Sequence, residues 1–536
     1  MKPRRGPIGI GAFTTLGLVT GILLVVRLWL DSHLELMYNE AYYALWAKHL
    51  AWGYFDHPPM VALWIRLSTI CFGDHEFGVR ALGTLSATAE TALIYLLSWH
   101  LFGRRSEAIF AALLFCAMLL ISAGAIIIAP DTPLVFFWSI ALYALVRIFC
   151  GGGSGWWWLV GIAMGLALKS KYTALLLGAG IVGAMAVVPR LRHWWRDPMP
   201  YIAGALALAI FVPVVAWNYE HGWASFGRQF SRAQIDGLSL RYLAEFLGSQ
   251  LGLLTPFVFV LAVGGVWLAL RRRDHENGDA YLFLVSLVAP MLFYFLFHSL
   301  HARVHGNWVA PAYPVLAVLG AEAAFLISSF SERVRPLITL SRHLSVPVGL
   351  SIAGIAYLQA WAAPIPINPA VDPIAVIAGW SDLAASVDNF ARREGAAYIL
   401  TSSYALTSEM MYYSTCAIPV VQYNERLRWV SFEQPEPNVL SRPGLYLADA
   451  NRDLSNELTS RFSRVIKISE ISRARHGKQI QRYVLYRLES PVAPILSGNA
   501  HHQKRVAQLE GGDPKAALVP GRGNHGSQLQ RLMSYR

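Results

Sequence analysis

Long apolar runs, broken by short polar connections, set the pattern of this chain from Ile8 onward. Ile8 to Leu30 is long enough to span a bilayer's hydrocarbon core. Further runs centre on residues 81–102, 107–128, 133–149, 156–168, 173–189, 200–217, 247–270, 280–298, 308–329 and 345–362. The length rule therefore predicts about eleven crossings, with soft ends allowing roughly ten to thirteen. The basic residues Lys2, Arg4, Arg5, Arg104, Arg105, Arg147, Arg190, Arg192, Arg196, Arg271–Arg273, Arg333, Arg335 and Arg342 then all fall on one side. By the positive-inside rule that side is the cytoplasm. Tyr38–Arg66, 129–132, 169–172, 218–246, 299–307 and everything past Ala363 are expected to face outward.

Past Ala363 the pattern changes to short alternating segments. AAYILTSS, IPVVQY, GLYLADA, RVIKISEI and YVLYRL read as strands. SDLAASVDNFARREG, ALTSEMMYYS and LSNELTSRF read as helices. The expected organisation is a polytopic α-helical membrane domain over residues 1–363, an α/β domain over 364–490 and a basic tail over 491–536. That tail has few large apolar residues and is expected to be disordered.

One connection stands out. Tyr38–Arg66 is too polar to cross a membrane and too aromatic for an ordinary solvated loop. A helix opening near Glu40 puts Tyr42, Leu45, Trp46, His49 and Leu50 on one stripe. Such a stripe suits a helix lying in the membrane interface. Asp56-His57-Pro58-Pro59 is expected to stop that helix, since proline removes a donor and restricts its predecessor. The plainer reading is a re-entrant connector whose polar groups satisfy one another.

Composition agrees with the class. The 536 residues are 55% hydrophobic and 15% charged, against about 25% charged in a typical soluble domain. The net charge of +12 is accounted for by cytoplasmic loops and the tail, so no nucleic-acid partner is implied. Four cysteines show no zinc spacing, and no nucleotide-binding glycine loop or internal repeat is present.

The outward connections hold the candidate chemistry. The first offers Asn39, Glu40, Tyr43, Asp56 and His57. Asp131, in Ala129-Pro130-Asp131-Thr132-Pro133, sits at a membrane boundary where an unpaired carboxylate is expensive to bury. A helix N-cap is the plain alternative for it. Lys169 and Lys171 stand against the charge bias of their side and suit an anionic partner, or else snorkel from a helix end. Arg228 and Arg232 lie four apart, and His305, Asn307 and Trp308 precede the tenth run. Tyr404, Glu409 and Tyr412, in the α/β domain, read as packing residues. A carboxylate beside an acceptor hydroxyl can take its proton, and a cation near a leaving phosphate stabilises the charge that develops there. This combination suits a lipid-borne, phosphorylated substrate.

The motifs EAYY and GYFDHPP, then Pro130-Asp131-Thr132-Pro133, Ser170-Lys171-Tyr172, Trp217-Asn218, Gly306-Asn307-Trp308 and Ala312-Tyr313-Pro314, run in order over roughly residues 10–490. In this the chain resembles the bacterial family-39 glycosyltransferases, GT-C membrane enzymes related to the lipid A aminoarabinose transferase and to protein O-mannosyltransferases. The resemblance implies transfer of a sugar from a polyprenyl-phosphate carrier to an acceptor at the outer face of the bacterial inner membrane. It implies that Glu40 and Asp131 belong to an acidic centre, and that Lys171 with nearby arginines holds the phosphate.

There is a departure. Where such enzymes carry Asp-Glu, this chain has Asn39-Glu40, and an amide is no general base. Either Glu40 or Asp56 takes over, or the acceptor is already an anion. The missing acid also weakens the case for a divalent cation, which prefers clustered carboxylates; a divalent cation stays an open alternative, and no other cofactor is expected. The expected function is glycosyl transfer to an envelope glycolipid such as lipid A or lipopolysaccharide core. A protein hydroxyl as acceptor is the rival within the class. A transporter or flippase is the rival outside it, disfavoured because the runs show no obvious mid-span carboxylate.

Overall fold

Inside lipid a backbone must satisfy its own hydrogen bonds, and the apolar runs accordingly become helices. The computed structural model describes residues 10–232, 237–272, 277–368 and 371–496. The first helices are α1 (Ile10–Asp31), α2 (Tyr38–Lys48), α3 (Met60–Phe72), α4 (Glu76–Phe102), α5 (Arg105–Ala117) and α6 (Leu119–Gly124). They are followed by α7 (Asp131–Phe149), α8 (Trp156–Ser170), α9 (Leu175–Val187), α10 (Met199–Glu220), α11 (Ala224–Arg232) and α12 (Leu240–Leu254). The last are α13 (Pro256–Arg271), α14 (Gly278–His298), α15 (Tyr313–Phe325), α16 (Arg335–Ala362), α17 (Trp380–Glu394) and α18 (Tyr404–Tyr413).

Among the described residues, seven helical stretches are long and apolar enough to cross a membrane, or nine if two bent pairs each count as one span. The shortfall from eleven has local causes. The run 107–128 breaks at Met118, whose extended backbone separates α5 from α6. The run 156–168 yields α8, only 15 residues long. The run 247–270 breaks at Thr255, where α12 and α13 meet at 108°. Thr255 has φ +68, outside the helical region, and Pro256 opens α13 as a first-turn proline can.

The spans also carry buried charge that their hydropathy hides, which corrects the expectation that they show no obvious mid-span carboxylate. Glu90 is buried partway along α4. Arg27 of α1 donates to Tyr357 Oη at 2.9 Å and to Ser122 Oγ at 3.3 Å. Arg104 holds both oxygens of Glu322, at 2.7 and 2.6 Å. One charge in a long apolar run barely lowers its average, so pattern reading passes over it.

After α16 the chain builds one five-stranded sheet in the order β2-β1-β3-β5-β4. Its strands are β1 (Ile399–Thr401), β2 (Val420–Gln422), β3 (Gly444–Asp449), β4 (Phe462–Arg475) and β5 (Lys478–Pro491). The strands β2, β1 and β3 pair parallel, while β3, β5 and β4 pair antiparallel. The β4–β5 hairpin is longer than its sequence segments suggested. It turns at His476-Gly477, both at positive φ, a two-residue geometry that matches strand twist. Successive residues of β1 alternate between the two faces. Ile399 joins Leu383, Val387 and Met410 of α17 and α18, while Leu400 joins Tyr446, Leu458 and Leu488. The third expected helix is a single turn, Ser455–Leu458. Most of the expected tail, 497–536, lies outside the described residues.

The sheet domain is pinned to the helices by polar contacts. Glu35 accepts from Trp380 N at 2.7 Å and Ser381 N at 3.1 Å, capping the start of α17. The Leu36 N–H donates to Tyr413 Oη at 2.7 Å. Tyr404 Oη donates to Asn39 Oδ1 at 3.1 Å.

Candidate functional site

The helix α2 is not the interfacial helix expected from its stripe. Every residue from Glu40 to Ala47 is buried, because α3 and α18 pack against it. Only its ends, Tyr38-Asn39 and Lys48, meet solvent, and it stops at Lys48, well before Asp56-His57-Pro58-Pro59. Pro59 instead caps α3. Between the helices, Tyr54 organises the loop. Its hydroxyl accepts from Ala51 N at 3.0 Å and reaches the carbonyls of Trp46 and His49 at 3.1 and 2.9 Å. Its ring stacks on Trp46 at 4.0 Å.

Glu40 is fully engaged with protein donors. Arg80 donates Nε to Oε1 at 2.8 Å and Nη2 to Oε2 at 2.6 Å. The Ile128 N–H adds a bond to Oε1 at 2.9 Å and the Met37 N–H one to Oε2 at 3.0 Å. Four donors occupy a carboxylate's roughly four acceptor directions. That places Glu40 as an organiser of the loop leading to Asp131, and not as an acid aimed at substrate.

Asp131 is the first residue of α7, after Pro130, and makes no capping bond. Its carboxylate points across to other connections. Lys171 Nζ donates to Oδ1 at 2.8 Å and Asn307 Nδ2 to Oδ2 at 2.9 Å. Trp308 lies with its ring centroid 6.0 Å from Lys171 Nζ. The side chains of Asp131 and Lys171 keep 16% and 12% exposure, so the pair is reachable. Asn307 is held through its segment, the 3₁₀ stretch Gly306–Ala312, by Gln250 Nε2 donating to Gly306 O at 3.0 Å.

Asp56 centres a second group. Arg428 donates to Oδ2, and Arg228 Nε lies 3.9 Å from Oδ1. Tyr42 Oη is 3.4 Å from Oδ2, and Gln229 Nε2 donates to the Asp56 carbonyl at 2.6 Å. Burial alone would lower the Arg428 pKa, but Asp56, then Tyr42 and Glu425, raise it to a net upward shift, so its charge is secure. Burial also pushes the Tyr42 phenol well above its usual value, keeping it a neutral donor.

The remaining candidates fall around these two groups. Lys169 Nζ sits 4.9 Å over the exposed Trp52. The Tyr43 and His57 rings are 6.3 Å apart. His305 is exposed, its ring 5.2 Å from that of Trp308. Gly53 lies flat against the Trp217 indole. Asn218 Nδ2 reaches Tyr172 Oη at 3.5 Å and its Oδ1 accepts from Phe226 N at 3.1 Å, fixing the entry to α11 and so to Arg228. The first loop, residues 128–131, 169–172, 217–229 and 307–308 thus meet at one end of the helical bundle.

Sequence reasoning missed Arg80 and Arg428. Arg80 lies near the start of α4, and a buried partner for Glu40 could have been sought there. Nothing in the pattern around Arg428 sets it apart. Tyr404, read as packing, also bonds Asn39. Among the described residues no group of three or more His, Cys, Asp or Glu is placed to hold a metal ion.

Residues 56–217 match the family described as dolichyl-phosphate-mannose-protein mannosyltransferase. The lipid A galacturonosyltransferase RgtD of Rhizobium johnstonii is 26% identical over 65% of this chain and 74% of its own length. The undecaprenyl phosphate-alpha-4-amino-4-deoxy-L-arabinose arabinosyl transferase of Erwinia tasmaniensis is 26% identical over 58% of this chain, a match spanning 56% of that relative. In fold, ArnT from Cupriavidus metallidurans superposes with a TM-score of 0.61 at 15% identity, covering 89% of this chain and 98% of ArnT. The chain has the fold of the GT-C membrane glycosyltransferases. Within that class, its sequence relatives include the lipid A galacturonosyltransferase and the aminoarabinose transferases just named.

Proposed function

We propose that this protein moves a sugar from a polyprenyl-phosphate carrier to an envelope glycolipid, of the lipid A or lipopolysaccharide-core kind, at the periplasmic face of the inner membrane. The observation that carries the reading is the Asp131–Lys171–Asn307 group, a part-exposed acid and cation where five connections converge. The names of the sequence relatives supply the carrier and acceptor classes.

In this reading the acceptor oxygen attacks the anomeric carbon from the side opposite the carrier. The bond between that carbon and the phosphate oxygen breaks, and its electrons stay on the phosphate. Lys171 and Arg228 stabilise that charge where little water competes. Asp131 takes the proton of an acceptor hydroxyl, while an acceptor that is already a phosphate anion needs none. Asn307 orients Asp131, and Glu40 fixes the loop ahead of it. The experiment is a mass comparison of lipid extracts from strains lacking and regaining the gene. A glycolipid shift of one sugar is expected. Unchanged glycolipids with altered envelope glycoproteins would move the acceptor to a protein hydroxyl.

A further inference from the structure

Arg428 enters the site from the sheet domain. It lies in the 3₁₀ turn Arg426–Trp429 between β2 and β3. The turn is entered through Glu425 at φ +48, a left-handed conformation that costs free energy for a residue with a side chain and is kept where surroundings enforce it. The guanidinium is 6% exposed, lies 4.4 Å from the Tyr404 ring centroid and 5.3 Å from that of Phe55, and is held by Glu425 at 2.8 Å. Its other partner is Asp56. Arg228 stands at the same carboxylate, its side chain 27% exposed and its Nε without a hydrogen bond. Two guanidiniums from two domains therefore share one carboxylate, and the more exposed of them has spare donors. Planar guanidinium forks match the oxygens of a phosphate as well as those of a carboxylate.

We infer that the phosphate of the polyprenyl carrier competes with Asp56 for Arg228 and Arg428, so that the sheet domain supplies a phosphate ligand to the site. This rests on the polyprenyl-phosphate reading above. Asp56 stays in the site when the phosphate arrives, so binding adds an anion beside the two arginines and costs the buried carboxylate part of its pairing. The stacking of Arg428 against Tyr404 and Phe55 keeps the fork in place while its partner changes.

The competition predicts opposite effects from two substitutions on one ligand. Affinities for undecaprenyl phosphate and for undecaprenol are measured with the full-length chain in phosphatidylcholine nanodiscs. Asp56→Asn should tighten undecaprenyl phosphate about 3-fold by removing the rival anion. Arg428→Gln should weaken it about 10-fold, and Arg428→Lys, which keeps charge but loses the fork, by about 3-fold. Undecaprenol should respond to none of them. Unchanged affinity in Arg428→Gln, or equal weakening in Asp56→Asn and Arg428→Gln, overturns the inference. If Arg428→Gln does not accumulate, Arg428→Lys decides, with no loss counting against. A wild-type chain that binds undecaprenyl phosphate no better than undecaprenol removes the carrier reading itself. Selective wild-type binding untouched by Arg428 removes only this inference.

Discussion

Glu40 and Arg80 form a two-point ion pair with both side chains withdrawn from solvent, at 0% and 1% exposure. The same Glu40 carboxylate accepts from Ile128 N, three residues ahead of Asp131. One acid thus sets where another stands without touching it. An amide at position 40 would strand Arg80 as a buried unpaired cation, a loss of about 3–5 kcal/mol. Glu40→Gln is expected to reduce the amount of folded protein in the membrane, with activity falling in proportion, as read by quantitative blotting and thermal aggregation. Wild-type accumulation with activity gone would return Glu40 to the chemistry.

Asp131 has the opposite character. It is held by one lysine and one amide and retains access. Asp131→Asn keeps the shape of the side chain while removing the carboxylate that the proposed mechanism uses as its base. Transfer should fall by about 100-fold or more while protein accumulates normally. Full activity in glycolipid mass spectra would take Asp131 out of the mechanism.

Lys171 and Lys169 lie two residues apart with different partners. Lys171 pairs with Asp131, whereas Lys169 covers Trp52 near the loop surface. Lys171→Ala is expected to weaken donor binding about 10-fold or more, and Lys169→Ala by about 3-fold or less. Equal, negligible losses would reduce both to residues that merely reach for the membrane interface.

Glu409 makes a pH-dependent prediction. It lies buried on α18 with neither carboxylate oxygen hydrogen-bonded. Burial raises its pKa well above the usual value; Arg473 opposes this, and Glu35 and Glu40 add to it. The folded chain therefore keeps a proton that the unfolded chain releases near pH ~4.3. Stability from this group is complete below that point and is lost as pH rises towards the elevated folded value. Glu409→Gln should raise the Tm at pH 7.5 by a few degrees, and the gain should shrink towards pH 5. A pH-independent difference would show that Glu409 is ionised in the fold.

What the sequence disclosed depended on the physics involved. Spans and strands follow from periodicity and length, so α7, α10, α14 and all five strands lie where pattern reading expected them. Asp131 and Lys171 stood out as charges at the ends of apolar runs, and the structure brings them together with Asn307. The environment of α2 was not legible, because its second covered face comes from α18, over 350 residues away in the chain. Arg428 was hidden for the same reason, since only folding brings it to Asp56. Glu90 and Glu322 were lost in the averages of their own runs.

Gly53 has a consequence for what the site can tolerate. A methyl group there would fall 2.6 Å from Trp217 Cε3, so a single hydrogen atom sets the clearance between the first loop and α10. Trp217 precedes Asn218, whose amide steers Tyr172 and the start of α11. Enlarging position 53 would therefore lever the indole aside and misalign Arg228, a fault transmitted from a residue that carries no chemistry of its own.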